Sequence, residues 1–268
     1  MRRTKYTVSK KLTADSSKFP MLQPLVRLSQ GLTQGLLQLV YPATCLCCTG
    51  PMPDSQACLC DSCRRSLSNS TQPVCPRCAA TVGPYVQVDS GCTHCRKESF
   101  HFERVLRLGP YEGMLREVVL RIKQLSGEDL AEAIGKLWAE VSLASLHQLG
   151  AQVVIPVPLH WFKRLRRGYN QSEALAQALA IRLQVPYLGR LLRRKRNTPQ
   201  QTQRMGVNRR DNVRDAFRAR ASPKLTKKTV LLVDDVLTSG STASEAARAL
   251  KKAGAGKVFV AVLARAES

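Results

Sequence analysis

The sequence predicts an α/β chain, a parallel sheet covered by helices, with a small cysteine-rich domain in front of it. Three observations carry this. The 268 residues are 44% hydrophobic but only 5% aromatic, so the core is aliphatic, as in parallel sheets buried on both faces. The C-terminal part reads strand, helix, strand, the pattern of a βαβ unit. All ten cysteines lie between positions 45 and 95, where Pro, Gly and Ser are frequent and no sustained apolar periodicity can build a core without metal.

The elements follow in order. Residues 1 to 20 are polar and cationic and read as a disordered tail, while Leu25, Leu28, Leu32, Leu36 and Leu39 recur at helical spacing before Tyr41-Pro42. Residues 1–44 are therefore a basic tail and amphipathic helix, 45–100 the cysteine-rich domain, and 101–268 the α/β domain. Leu115, Val118, Val119 and Ile122, then Leu130, Ile134, Leu137, Trp138 and Val141, predict helices over about 113–125 and 128–147. Val153 to Leu159 is a β-branched strand run whose prolines mark its exit from the sheet. HWFKRLRRGY (160–169) is expected as a loop, with His160 as a loop hydrogen-bonder. Asn170 stands three residues before Glu173 and predicts a capped helix running to about Leu183. Residues 190–220 carry eleven Arg or Lys against two Asp, with no clear period, and predict a mobile basic loop or flap. A strand (229–233), a helix (about 242–253, ended by Gly254) and a strand (257–263) close the chain.

Eight cysteines form four C-x-x-C pairs, Cys45/Cys48, Cys60/Cys63, Cys75/Cys78 and Cys92/Cys95, separated by 11, 11 and 13 residues. That is knuckle spacing, and two sites of four thiolates fit it best. Closed all-sulfur tetrahedra suit structural Zn²⁺, two ions in all, with iron-sulfur clusters as the competing reading. Pairing in sequence order gives two successive ribbons; spacing alone leaves an interleaved pairing open, as it leaves the roles of Cys47 and Cys58. Such cysteines read as reduced thiols of a cytoplasmic protein. No stretch of about 18 apolar residues exists, so no membrane insertion is expected.

The chemistry concentrates in VLLVDDVLTSGST (230–242). A buried strand running into Asp234 and Asp235 places both acids at the carboxyl end of a sheet, where open α/β sheets bind ligands. Adjacent carboxylates accept hydrogen bonds from neighbouring sugar hydroxyls and can hold a hydrated divalent cation. Thr238, Ser239, Ser241 and Thr242 offer hydroxyls, and Gly240 permits close backbone approach. The following helix supplies unpaired N–H groups, and together these make a phosphate cradle. The competing reading is structural: Thr242 and Glu245 as a capping box behind a plain Asp-Asp turn. A formal charge of +23 adds an attraction to polyanions.

This stretch resembles the thirteen-residue phosphoribosyl pyrophosphate (PRPP) motif of type I phosphoribosyltransferases. The order of parts resembles the ComF/GntX family: cysteine knuckles, Val157-Pro158-Leu159-His160, Arg167-Gly168-Tyr169-Asn170-Gln171, Thr198 to Gln201, Arg209 to Asn212, Phe217, then the PRPP motif. The resemblance runs from about Cys45 to the C-terminus. It implies a type I phosphoribosyltransferase fold behind an N-terminal double zinc ribbon. Asp234 and Asp235 would hold the ribose hydroxyls and Thr238 to Thr242 the 5′-phosphate. Lys163, Arg166 and Arg167 would lie near the pyrophosphate, and Thr198, Gln201, Arg209 and Arg210 in a flexible hood-like loop. Mg²⁺ would accompany PRPP. It further implies a role in competence and the use of external DNA, with single-stranded DNA and a helicase or the DNA-uptake machinery as partners. Two function classes follow: Mg²⁺-dependent phosphoribosyl transfer to an acceptor that no segment specifies, and a non-catalytic fold acting as a single-stranded DNA-binding adaptor.

Overall fold

The computed structural model describes residues 43–52, 57–69, 72–88, 91–195 and 213–267. The expected tail and the helix at Leu25 to Leu39 lie outside the described residues. The chain divides into two compact units, 1–44 with 51–56, and 45–50 with 57–268. Within the first, Thr44 and Pro51 form an antiparallel bridge. All elements below belong to the second.

A four-stranded parallel sheet organises this unit. Its strands are β1 (Val105–Pro110), β2 (Val153–Pro156), β5 (Val230–Leu237) and β6 (Val258–Arg265), in the order β1-β6-β5-β2. Tyr187 adds a parallel bridge to Val154 beyond β2. Val230, Leu231, Leu232 and Val233 are all fully buried, which is why this strand reads as a continuous apolar run rather than an alternation. Pleating still divides the residues between two faces. Val153 and Ile155 of β2, Val230 and Leu232 of β5, and Val258, Val260 and Val262 of β6 share one core with Ala243, Ala246, Ala247 and Leu250. The alternate residues leave the opposite face to the helix Gln171–Leu183, which packs on β2 and β5.

The helices are α1 (Asp61–Ser68) in the cysteine-rich segment, then α2 (Gly113–Arg121), α3 (Glu128–Val141), α4 (Leu143–Gln148), α5 (Trp161–Arg167), α6 (Gln171–Leu183) and α7 (Ser241–Lys252). The single helix expected over 128–147 is divided at Ser142, whose φ and ψ of −102° and 8° are not helical. Asn170 caps α6 as expected: its Oδ1 accepts from Ser172 N at 3.2 Å. Glu173 does not complete a capping box. It takes both guanidinium nitrogens of Arg164 at 2.6 and 3.0 Å.

Two expectations need correction. Residues 161–167 are helical rather than loop, entered through the His160 imidazole, whose Nδ1 accepts from Phe162 N at 3.4 Å, and stopped by Gly168 at φ +78°. The interval between Pro158 and Gly168 contains good helix formers, enough for two turns. The basic segment 190–220 is anchored at both ends by a small antiparallel sheet, β3 (Leu192–Arg194) on β4 (Phe217–Ala219). Leu192 and Phe217 insert into the α7 core, which explains the order at its flanks.

Candidate functional site

The cysteines come together as two tetrads, Cys45/Cys48/Cys60/Cys63 and Cys75/Cys78/Cys92/Cys95, with ligand atoms all within 4.8 Å of one another. The pairing is sequential. Sγ to Sγ separations of 3.8 Å for Cys48–Cys60, 3.7 Å for Cys75–Cys95 and 3.5 Å for Cys78–Cys92 match a tetrahedron with metal–sulfur bonds of about 2.3 Å. Backbone N–H groups of Cys47 and Cys60 reach Cys45 Sγ at 3.4 and 3.3 Å, hydrogen bonds that stabilise a thiolate. Cys47 and Cys58 fall outside both tetrads, and burial pushes the Cys47 thiol up. The donor sets therefore fit two closed structural zinc ions.

β5 continues past its neighbour. β2 pairs with Val230 to Val233 and stops, so Asp234 and Asp235 stand on β5 just beyond the end of β2, still paired on the other side to β6 through Asp234 and Val262. The start of α6 meets them there. Ser172 Oγ donates to Asp234 Oδ1 at 3.0 Å, and Gln171 Nε2 donates to Asp235 Oδ2 at 2.9 Å. Lys123 Nζ lies 3.2 Å from the same Asp235 oxygen. Lys123 is placed by the turn after α2, where the Tyr169 hydroxyl donates to the Ile122 carbonyl. A Cβ on Gly127 would lie 2.7 Å from that hydroxyl oxygen, so only glycine lets the turn close. Burial, and then the neighbouring Asp235 charge, push the Asp234 carboxyl up to about 7. An incoming cation or hydrogen-bond donor at the acid pair would favour the charged carboxylates.

Two residues further the chain turns through Thr238 and Ser239 into α7. Gly240 takes φ +78°, and a Cβ there would meet Phe100 Cε1 at 2.9 Å. Glycine is thus required for backbone conformation and for space. Gly240 supplies no side-chain cap; the N–H of Ser241 reaches Ser239 Oγ at 3.4 Å, and a helix start of this kind can turn its other first N–H groups to an anion. Ser239 Oγ and Ser241 Oγ lie 3.0 Å apart on the same turn. The Thr242/Glu245 capping box does not form: Glu245 instead accepts from Asp215 N at 2.8 Å and Arg248 Nε at 2.9 Å.

The floor of this turn is the second ribbon. Arg265, almost wholly buried, donates from Nε to the Cys78 carbonyl at 3.1 Å, and from Nη1 to the carbonyls of Leu237 (3.2 Å), Thr238 and Ala266. One guanidinium thus joins a cysteine knuckle to the entrance of the Gly240 turn. Phe100, five residues after Cys95, stacks on Phe102 at 4.6 Å under the Arg77 guanidinium, and His101 N donates to Ser244 Oγ in α7 at 3.0 Å.

Of the residues expected near the pyrophosphate, Lys163, Arg166 and Arg167 lie on α5. Arg167 donates to Gln171 Oε1 at 3.3 Å, one hydrogen bond removed from Asp235. Burial lowers the Lys163 ammonium, and the charges of Arg194, Arg167, Arg166 and Lys123 lower it further, a crowding of cations that an anion relieves. Thr198, Gln201, Arg209 and Arg210 lie outside the described residues. Sequence reasoning missed Lys123, Ser172 and Arg265. Gln171 and Ser172 were signalled by their place behind the Asn170 cap, facing the sheet; Lys123 and Arg265 carried no local signal.

This assembly, two thiolate tetrads and an acid pair feeding a glycine turn, is matched by two family models. Residues 36–96 match a double zinc ribbon domain and residues 165–268 a phosphoribosyl transferase domain. Competence protein F of Haemophilus influenzae is 31% identical over 83% of this chain and 96% of its own. The chain belongs to the ComF family. The DNA utilization protein YhgH of Salmonella typhimurium is 29% identical over 85% of this chain and 99% of its own, and Competence protein ComFC of Bacillus subtilis 24% over 75% and 80%. The fold is accordingly a phosphoribosyltransferase α/β fold with an N-terminal zinc ribbon. Among the described residues of this ComF-family chain no helix is long and apolar enough to cross a membrane.

Proposed function

We propose that the chain binds PRPP with Mg²⁺ and transfers its phosphoribosyl group to an acceptor. The observation that supports this is the acid pair at the end of β5, held by Ser172, Gln171 and Lys123, one turn before the start of α7. Asp234 and Asp235 accept the ribose hydroxyls, and the turn 238–242 takes the 5′-phosphate on backbone amides and hydroxyls. Mg²⁺ neutralises the pyrophosphate oxygens when bound. As the bond from ribose to pyrophosphate breaks, negative charge builds on the leaving group, and Lys163, Arg166 and Arg167 stabilise it. Calorimetric titration of PRPP into the full-length protein in Mg²⁺ tests this: saturable one-to-one binding that needs the divalent cation is expected. No heat and no protection of the protein against thermal unfolding at millimolar PRPP would remove the reading.

A second reading is favoured by a specific cleft. Between the β3–β4 sheet and α7 lies a cavity of about 840 Å³ lined by Arg193, Lys195, Arg218, Arg220 and Lys252. Its acid, Asp215, is taken by Arg248 at 2.6 Å. Such a cleft suits the backbone of single-stranded DNA, in keeping with relatives named for competence and DNA utilization. On this reading the chain works in the cytoplasm with a helicase or the uptake machinery. Neutralising Arg218 and Arg220, both solvent-exposed, is expected to flatten the logarithmic salt slope of oligonucleotide binding by about 1.4; an unchanged slope contradicts the cleft.

A further inference from the structure

We propose that α5 is a stacking platform on which Trp161 and Phe162 hold an unpaired base of a single-stranded nucleic acid beside the acid pair. The inference rests on the nucleic-acid reading and specifies where the bases go.

Helix α5 buries none of its residues. Trp161 is 66% exposed, Phe162 53% and Leu165 75%, on a helix of only seven residues. Single exposed apolar residues are ordinary, but three large ones on two helical turns make a patch. The two rings stand edge to face, centroids 5.9 Å apart, and His160 lies 5.6 Å from Trp161.

The remaining residues of α5 specify the occupant. Lys163, Arg164, Arg166 and Arg167 follow the two rings on the same short helix. Arg164 is neutralised by Glu173; among the described residues no carboxylate forms a salt bridge with the other three. An apolar protein partner would leave these cations unpaired at the rim, and a membrane would need a longer amphipathic face. Aromatic faces flanked by cations are instead the arrangement that grips single strands, with rings under the bases and cations on the phosphates. The crowding of Lys163 by Arg194, Arg167, Arg166 and Lys123 carries this positive field from α5 to β3, whose following residue Lys195 lines the cationic cleft. Through Arg167, Gln171 and Asp235 the platform adjoins the acid pair, so a base stacked there is presented to the sugar-binding turn.

The protein contains its own reporter. Of its two tryptophans, Trp138 is completely buried and Trp161 exposed, so quenching of emission by iodide reads Trp161. Adding an oligothymidine of about twelve bases to the full-length protein at low salt is expected to shield Trp161 from iodide. A duplex of the same length, its bases already stacked, leaves Trp161 accessible. Trp161→Ala, which removes no core contact, weakens oligothymidine binding roughly tenfold or more. Trp161→Phe retains the binding, and neither variant changes PRPP affinity. Oligothymidine binding with Trp161 still open to iodide, or with W161A at wild-type affinity, overturns the platform while leaving the cleft standing. Absence of any oligonucleotide binding overturns both. Shielding that rises with protein concentration alone, with dimer formation, shows instead that a second copy covers α5, and also overturns the proposal.

Discussion

Asp235→Asn is expected to weaken PRPP binding in Mg²⁺ at least about 100-fold, measured by calorimetry on the full-length protein. The replacement keeps the shape of the side chain and removes its charge. Asp235 is nearly buried and receives Gln171 Nε2, Lys123 Nζ and Val236 N, the last at 2.7 Å. An amide there accepts at one oxygen only and turns an NH₂ toward two other donors. Hydrogen bonds to a charged acceptor contribute about 1.5–3 kcal/mol each, so losing two ribose contacts accounts for the fall. The ligand-free variant is expected to melt within a few degrees of the wild type, because Val230 to Val233 and the register with β6 are untouched. An affinity within threefold of wild type would mean that the ribose is held elsewhere.

The second large effect concerns zinc. Cys78→Ser with Cys95→Ser is expected to release one zinc ion per chain and to lower PRPP affinity about tenfold or more. Cys45→Ser with Cys48→Ser releases the other ion and leaves affinity within about threefold. The asymmetry follows from what each tetrad touches. Structural zinc contributes about 10–16 kcal/mol to the fold of a small ribbon, more than such a segment can replace from its own core. In the second ribbon that fold sets the Cys78 carbonyl against Arg265 and Phe100 against Gly240, so its loss frees the phosphate turn. The first ribbon is attached instead through Arg121, which donates to the carbonyls of Leu46 and Cys47 at the end of α2. Metal content by elemental analysis and PRPP titration on the same samples check both halves. Equal effects from the two pairs would exclude the Arg265 link.

Much of this was legible in the residues themselves, and the exceptions have physical causes. The β5–α7 unit was readable because a strand buried on both faces has to be a continuous aliphatic run, and because small residues at a helix start serve little else. The cysteine spacing indicated two tetrads but left the pairing open; the approach of Cys48 to Cys60, Cys75 to Cys95 and Cys78 to Cys92 settles it. Helix α5 was hidden because its residues face solvent and show no apolar stripe directed at a core. The Thr242/Glu245 box was a sound local pattern overridden by tertiary partners, Arg248 and the backbone of Asp215, that no local window contains. Arg265 reads in sequence as one more cation of a basic chain. Its carbonyl partners, Cys78 of the second ribbon with Leu237, Thr238 and Ala266, come together only in the folded chain.

The most direct measurement of the central claim is a crystal structure of the full-length protein with PRPP and Mg²⁺. The expected result is both ribose hydroxyls within about 2.6–3.2 Å of carboxylate oxygens of Asp234 and Asp235, with the 5′-phosphate seated on the amides of residues 238–242. Ligand density at any other place, or both carboxylates still engaged only by Ser172, Gln171 and Lys123 while the phosphate turn stays empty, would contradict it.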